Sequence, residues 1–120
     1  MSGAGSGKKI RISQQKFEKL DFKKEKPLRV IHKVTLNPLE VTTVSLKRDT
    51  GEPVSAAMQD GKPTLWYLLD TDDDSENVDR YFYGAGTGQP IPSEFKRMNF
   101  IGTCSSTSSP FIWHVFEVFY

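Results

Sequence analysis

The chain has 120 residues, 37% of them hydrophobic and 12% aromatic, with a formal net charge of +1. That length suits one domain and is too short for two separate cores. A single cysteine, Cys104, excludes an intrachain disulfide or a cysteine metal cluster and suits a reducing interior; no apolar run approaches the ~20 residues of a membrane-spanning helix, and the N-terminus lacks the hydrophobic segment of a signal peptide.

The charge is unevenly placed. Residues 1–34 hold ten basic side chains against three acidic ones, whereas the remainder holds six against twelve. Residues 1–26 are therefore read as a basic N-terminal extension and residues 27–120 as a single β domain. Residues 1–7 are small and linker-like, and in residues 8–26 the spacing of Phe17 and Leu20 allows one short helix with a thin apolar stripe. Only Phe17 and Phe22 interleave with the basic residues, so a solvated arm is favoured over binding to long nucleic acid.

From Pro27 the pattern has period two: Leu28, Val30, His32, Val34 and Leu36 alternate with Arg29, Ile31, Lys33 and Thr35, the mark of a half-buried strand. Residues 40–46, rich in Val and Thr, predict a second strand, and residues 53–58 a third beyond the Asp49-Thr50-Gly51 reversal. Asp60-Gly61 predicts a type I′ turn that pairs the third strand with the fourth. Residues 65–69 are almost continuously apolar, as in a central strand covered on both faces. Residues 78–83, 98–103 and 111–119 supply three more. About seven short strands predict an all-β fold, a small antiparallel sandwich or open barrel. The apolar ending at residues 111–116 offers a pairing edge, so a homo-oligomer, dimer or tetramer, is expected.

Catalytic groups are scarce. His32, His114 and Cys104 lie in no recognisable nucleophile motif, and both histidines read as core or cleft residues. The acidic run at residues 70–76 lacks the sixth-position glycine of a calcium loop and has Tyr81 in place of its last glutamate, leaving a solvated hairpin connection. No metal and no cofactor are expected. The most distinctive stretch is residues 84–92, with Gly84, Gly86 and Gly88 in five positions and Pro90 and Pro92 behind them. It lacks the Gly-Lys-Ser/Thr ending of a P-loop and the helix that follows a dinucleotide fingerprint. Two readings stay open: a tight inter-strand turn, or a small anion-binding nest beside Tyr83, Thr87 and Gln89. The serine-rich residues 104–109 read as a surface linker that also offers hydroxyl donors.

Ile31-His32-Lys33, Thr64-Leu65-Trp66, Asp70, Tyr83-Gly84, Gly86-Thr87-Gly88, Pro90-Ile91-Pro92, Ile101-Gly102-Thr103 and the run from Trp113 to Glu117 occur in this order. Over residues 29–117 the chain resembles a family of small proteins encoded by tailed bacteriophages; Gln89 stands where many members carry histidine. The resemblance implies an accessory protein working in the cytoplasm of the infected bacterial host. It further implies a sponge of the anti-CBASS kind, which binds a cyclic nucleotide defence signal and holds it without cleavage. On that reading the ligand-binding residues are Tyr83, Gly84, Gly86, Thr87, Gly88 and Gln89 of the turn, Lys33 and Arg80 as charge partners, and Trp66, Tyr83 or Trp113 as stacking surfaces. The rival expectation is a protein-interaction module using an edge strand and the basic extension. A third, weaker reading is a small hydrolase using His32 or His114.

Overall fold

In a computed structural model, the structure describes residues 28–120; the basic extension and the short helix expected within it lie outside the described residues. Seven antiparallel strands follow in chain order: β1 (Arg29–Thr35), β2 (Val41–Lys47), β3 (Ser55–Gln59), β4 (Lys62–Asp70), β5 (Asn77–Gly86), β6 (Arg97–Ser106) and β7 (Ser109–Phe119). They form a three-stranded sheet of order β1-β4-β3 and a four-stranded sheet of order β2-β5-β7-β6. The all-β class expected from the period-two pattern is the observed one, realised as a two-sheet sandwich.

The core between the sheets is supplied by alternate residues of each strand. Leu65 and Tyr67 of β4 meet Leu46 of β2, Phe82 of β5, Cys104 of β6 and Val115 of β7, with Leu36 closing one end. Burying a side chain such as Leu65 stabilises by about 1.5–3 kcal/mol, so these few positions hold the sheets together. Gly102 lies where β6 crosses β3, and a Cβ there would come within 3.3 Å of the Ala56 side chain. A β-bulge falls beside it, between Phe100 and Gly102.

The β3–β4 hairpin turns at Asp60 and Gly61 with φ of 52° and 80°, both positive as the type I′ turn demands. β4 is central in its sheet, as its apolar run suggests, but only one of its faces is covered along its whole length. Leu68 on the other face is 41% exposed, and its register partner Ile31 is 62% exposed. The expectation of cover on both faces is thus corrected in part: on that face Thr64 is buried and Trp66 half-buried, but the end of the strand at Leu68 is open. His32 is likewise exposed, because on β1 the core reaches only as far upstream as Val34.

The four-stranded sheet, by contrast, is apolar on both sides. Tyr83, Ala85 and Val118 face away from the sandwich and are covered by the segment between β5 and β6, whose Phe95 ring lies 5.4 Å from Tyr83. Two expectations about connections change. The acidic residues 70–76 carry the chain from β4 in one sheet to β5 in the other, so they form a crossover and not a hairpin. The serine-rich residues form a tight β6–β7 hairpin, closed by the Ser106–Ser109 pair, where a surface linker was expected.

Candidate ligand cleft at the glycine turn

β5 runs into the turn at Gly86. The Gln89 backbone N–H donates to the Gly86 carbonyl at 3.0 Å, and Gly88 in the third position has φ of 82°, the pattern of a type II turn. The Gln89 backbone N–H is consumed by the turn itself, which removes one donor from the nest reading and leaves the side-chain amide to the cleft. A Cβ on Gly86 would lie 2.9 Å from the Gln89 side chain and 3.1 Å from the Trp113 ring. Glycine is required there because two side chains fold over the backbone.

Those side chains form one wall of a cleft of about 230 Å³. The turn contributes Gly86, Thr87 and Gln89; the start of β7 contributes Pro110, Phe111, Ile112 and Trp113. The Phe111 and Trp113 rings stack at 5.8 Å with an interplanar angle of 23°, and Phe111 is 60% exposed. The cleft thus sets flat aromatic surface against an amide and a hydroxyl, with no charged residue in its lining.

One residue further along, β7 turns His114 to the opposite face of the sheet. In register it faces Ala85 of β5 and Thr103 of β6. Its Nε2 lies 2.7 Å from the Thr87 hydroxyl and its Nδ1 3.1 Å from the Thr103 hydroxyl. Both ring nitrogens are therefore occupied, and Thr87 belongs at once to the cleft and to this polar row.

The structure brings Gly86, Thr87, Gly88 and Gln89 together and places the remaining expected residues elsewhere. Tyr83 is 3% exposed and packs beneath the outer cover, closed to any stacking partner. Gly84 is buried against Pro38, whose Cα would be 3.7 Å from an added Cβ. Trp66 and Lys33 are register partners on the three-stranded sheet, where the Lys33 ammonium donates to Gln59 Oε1.

Arg80 is committed to the interior. Its Nε and Nη2 donate to the two carboxylate oxygens of Glu117 at 2.9 and 2.8 Å, and its Nη1 to the carbonyls of Thr50 and Gly51 at 3.0 Å each. The hydrogen bonds that Glu117 accepts hold the guanidinium above its usual range despite the opposing cost of burial. The expectation that Arg80 is a free charge partner is corrected: every nitrogen of its head is used to tie β5 to β7 and to the turn after β2. The Tyr67 hydroxyl, buried without a hydrogen-bond partner, sits in the same interior, and burial pushes its ionisation up. Cys104 is buried too, its thiol pushed up by desolvation, which makes it a poor nucleophile.

The sequence does not point to Phe111, Ile112 and Thr103 as site residues, and it marks His114 only as a core or cleft residue. Parity along β7 separates Trp113 from His114, but only the pairing with β5 and β6 shows which neighbours each meets. Among the described residues no group of three or more His, Cys, Asp or Glu side chains is placed to hold a metal ion, and no helix is long and apolar enough to cross a membrane.

Fold and site together define a small two-sheet β-sandwich with an uncharged aromatic cleft beside a glycine turn. The chain belongs to the family described as Domain of unknown function (DUF7352), which it matches over residues 28–119. Comparison with curated proteins and with solved structures gave no match.

Proposed function

We propose that the protein is a non-enzymatic binding protein of phage origin that sequesters a cyclic nucleotide signal of host defence. The observation that supports this reading is the pairing, within one cleft, of the stacked Phe111–Trp113 surface with the Gln89 amide and the Thr87 hydroxyl. A nucleobase is recognised by that combination: stacking on its face and hydrogen bonds at its edge. The volume, about 230 Å³, is below the ~300–1,000 Å³ of sites that enclose drug-sized ligands. One cleft therefore takes one base with part of its ribose. A cyclic dinucleotide has two bases, and two clefts from two copies of the chain would hold it; the two copies would not pair through residues 113–116 as the sequence suggested, because β7 is flanked there by β5 and β6.

The test is to incubate the purified protein with a panel of cyclic di- and trinucleotides, denature it by heat, and analyse what is released. Intact ligand at about one cyclic dinucleotide per two chains, lost in Trp113→Ala, is the expected result. Altered ligand would show an enzyme. A panel in which nothing is retained would refute sequestration and favour the second reading, docking on a host or virion protein. That reading draws on the uncovered face of the three-stranded sheet, where Ile31 and Leu68 lie exposed side by side next to Lys33 and Trp66.

A further inference from the structure

The cleft holds bases in this reading, yet nothing in its lining carries a positive charge to meet the phosphates that accompany them. The Thr87–His114–Thr103 row supplies the missing element. We infer that this row is an anion site, in which His114 takes up a proton when the phosphate of a nucleotide, or another tetrahedral oxyanion, binds at the Thr87 hydroxyl. The inference rests on the reading of the cleft as a nucleotide site for its ligand, but the chemistry of the row stands apart from it.

The reason lies in the hydrogen-bond inventory. A neutral imidazole has one N–H and one bare nitrogen, so between two hydroxyls it donates to one and must accept from the other. One threonine proton is then spent on the ring. An imidazolium donates from both nitrogens, at 2.7 Å to Thr87 and 3.1 Å to Thr103, so both hydroxyl oxygens act as acceptors. Both hydroxyl protons become free to point outward at an acceptor. A phosphodiester oxygen is such an acceptor and carries the opposite charge as well. Binding and protonation therefore favour each other, by linkage.

The surroundings leave His114 in control of this exchange. Beside it stand Ala85 of β5, Thr87 just past the end of that strand, Thr103 of β6, and Ile112 and Phe116 two positions away on β7, none of them ionisable in this range; the segment that covers Ala85 on this face carries Glu94 and Lys96. The one charged neighbour along the strand, Glu117, faces the other side of the sheet and is locked to Arg80. The sign is fixed: the ligand favours the protonated ring, so affinity is full below the titration midpoint and declines as pH rises through it.

The protein has two histidines, which makes the test internal. Imidazole titrations are followed by NMR between pH 5 and 8, first in chloride, then in sulfate at equal ionic strength, then with cyclic di-AMP; sulfate and the phosphodiester do not themselves titrate there. The expected result is that the His114 midpoint rises by about one pH unit at saturation, a tenfold preference for the imidazolium, while exposed His32 stays where it was. Thr87→Val should abolish the rise with the fold intact, and His114→Gln should make cyclic di-AMP binding independent of pH. If sulfate moves His114 and cyclic di-AMP is not retained, the anion site stands and the sequestration reading falls. If cyclic di-AMP binds while neither anion moves His114, sequestration stands and this inference is overturned. A His114 midpoint unmoved by either anion overturns it in every case.

Discussion

Arg80 and Glu117 lie 37 positions apart in sequence and meet in the interior, with side chains only 12% and 6% exposed. Two charges in that setting are stable because each donor and acceptor is used: the carboxylate takes a bidentate guanidinium, and the remaining nitrogen takes two turn carbonyls. Removing one partner leaves the other charged and desolvated. Glu117→Met should therefore destabilise the fold by about 3–5 kcal/mol in urea unfolding, and a loss under about 1 kcal/mol would show that water reaches the pair. Gly86 acts differently, through space and not charge. Gly86→Ala drives a methyl group into the Gln89 side chain and the Trp113 ring, so the expected outcome is a folded protein with an altered near-ultraviolet circular dichroism spectrum and reduced cyclic nucleotide retention. Retention at the parental level would place the ligand elsewhere.

Among the elements, the β3–β4 hairpin and the β4–β5 crossover carry the clearest consequences. The hairpin depends on positive φ at Asp60 and Gly61, where a β-branched residue is strained by its own Cβ. Gly61→Val should cost about 1–2 kcal/mol, read as a lower urea midpoint at unchanged slope. In the crossover, hydrogen bonding from Ser75 holds the Asp73 carboxyl below its usual range, first through the hydroxyl and then through the backbone N–H, which reaches Asp73 Oδ1 at 2.9 Å. A carboxyl depressed in the folded state adds stability above its unfolded value near pH 3.9 and surrenders it as pH falls through the folded value. Ser75→Ala should flatten that part of the acid-unfolding profile below about pH 4, and a profile identical to the parent would mean that Asp73 has no such role.

At the scale of the whole molecule, the described residues leave large apolar side chains in the open. Phe100 and Phe111 are each 60% exposed and lie on opposite faces of the sheet, Phe100 against the Phe116 ring and Phe111 against Trp113. An exposed apolar patch rimmed by polar residues marks an interaction surface. The proposed two-copy site predicts an oligomer in sedimentation equilibrium, with Phe100→Glu shifting the chain toward monomer and lowering ligand retention with it; a wild-type monomer that still retains cyclic dinucleotide would contradict the two-copy site.

The sequence by itself determined the strands, the type I′ turn at Asp60-Gly61 and the special character of residues 84–92, because period-two burial, positive φ and the absence of a Cβ are local demands that leave a local mark. It also singled out Thr87 and Gln89. Tertiary structure alone decided that β4 and β5 lie in different sheets, that Arg80 is spent on Glu117, that Tyr83 is sealed under Phe95, and that His114 stands between two threonines. Each of these depends on a partner distant in the chain. Parity assigns a residue to a face, but which strand lies alongside, and which sheet lies above, is set by long-range pairing and packing that leave no mark on neighbouring residues.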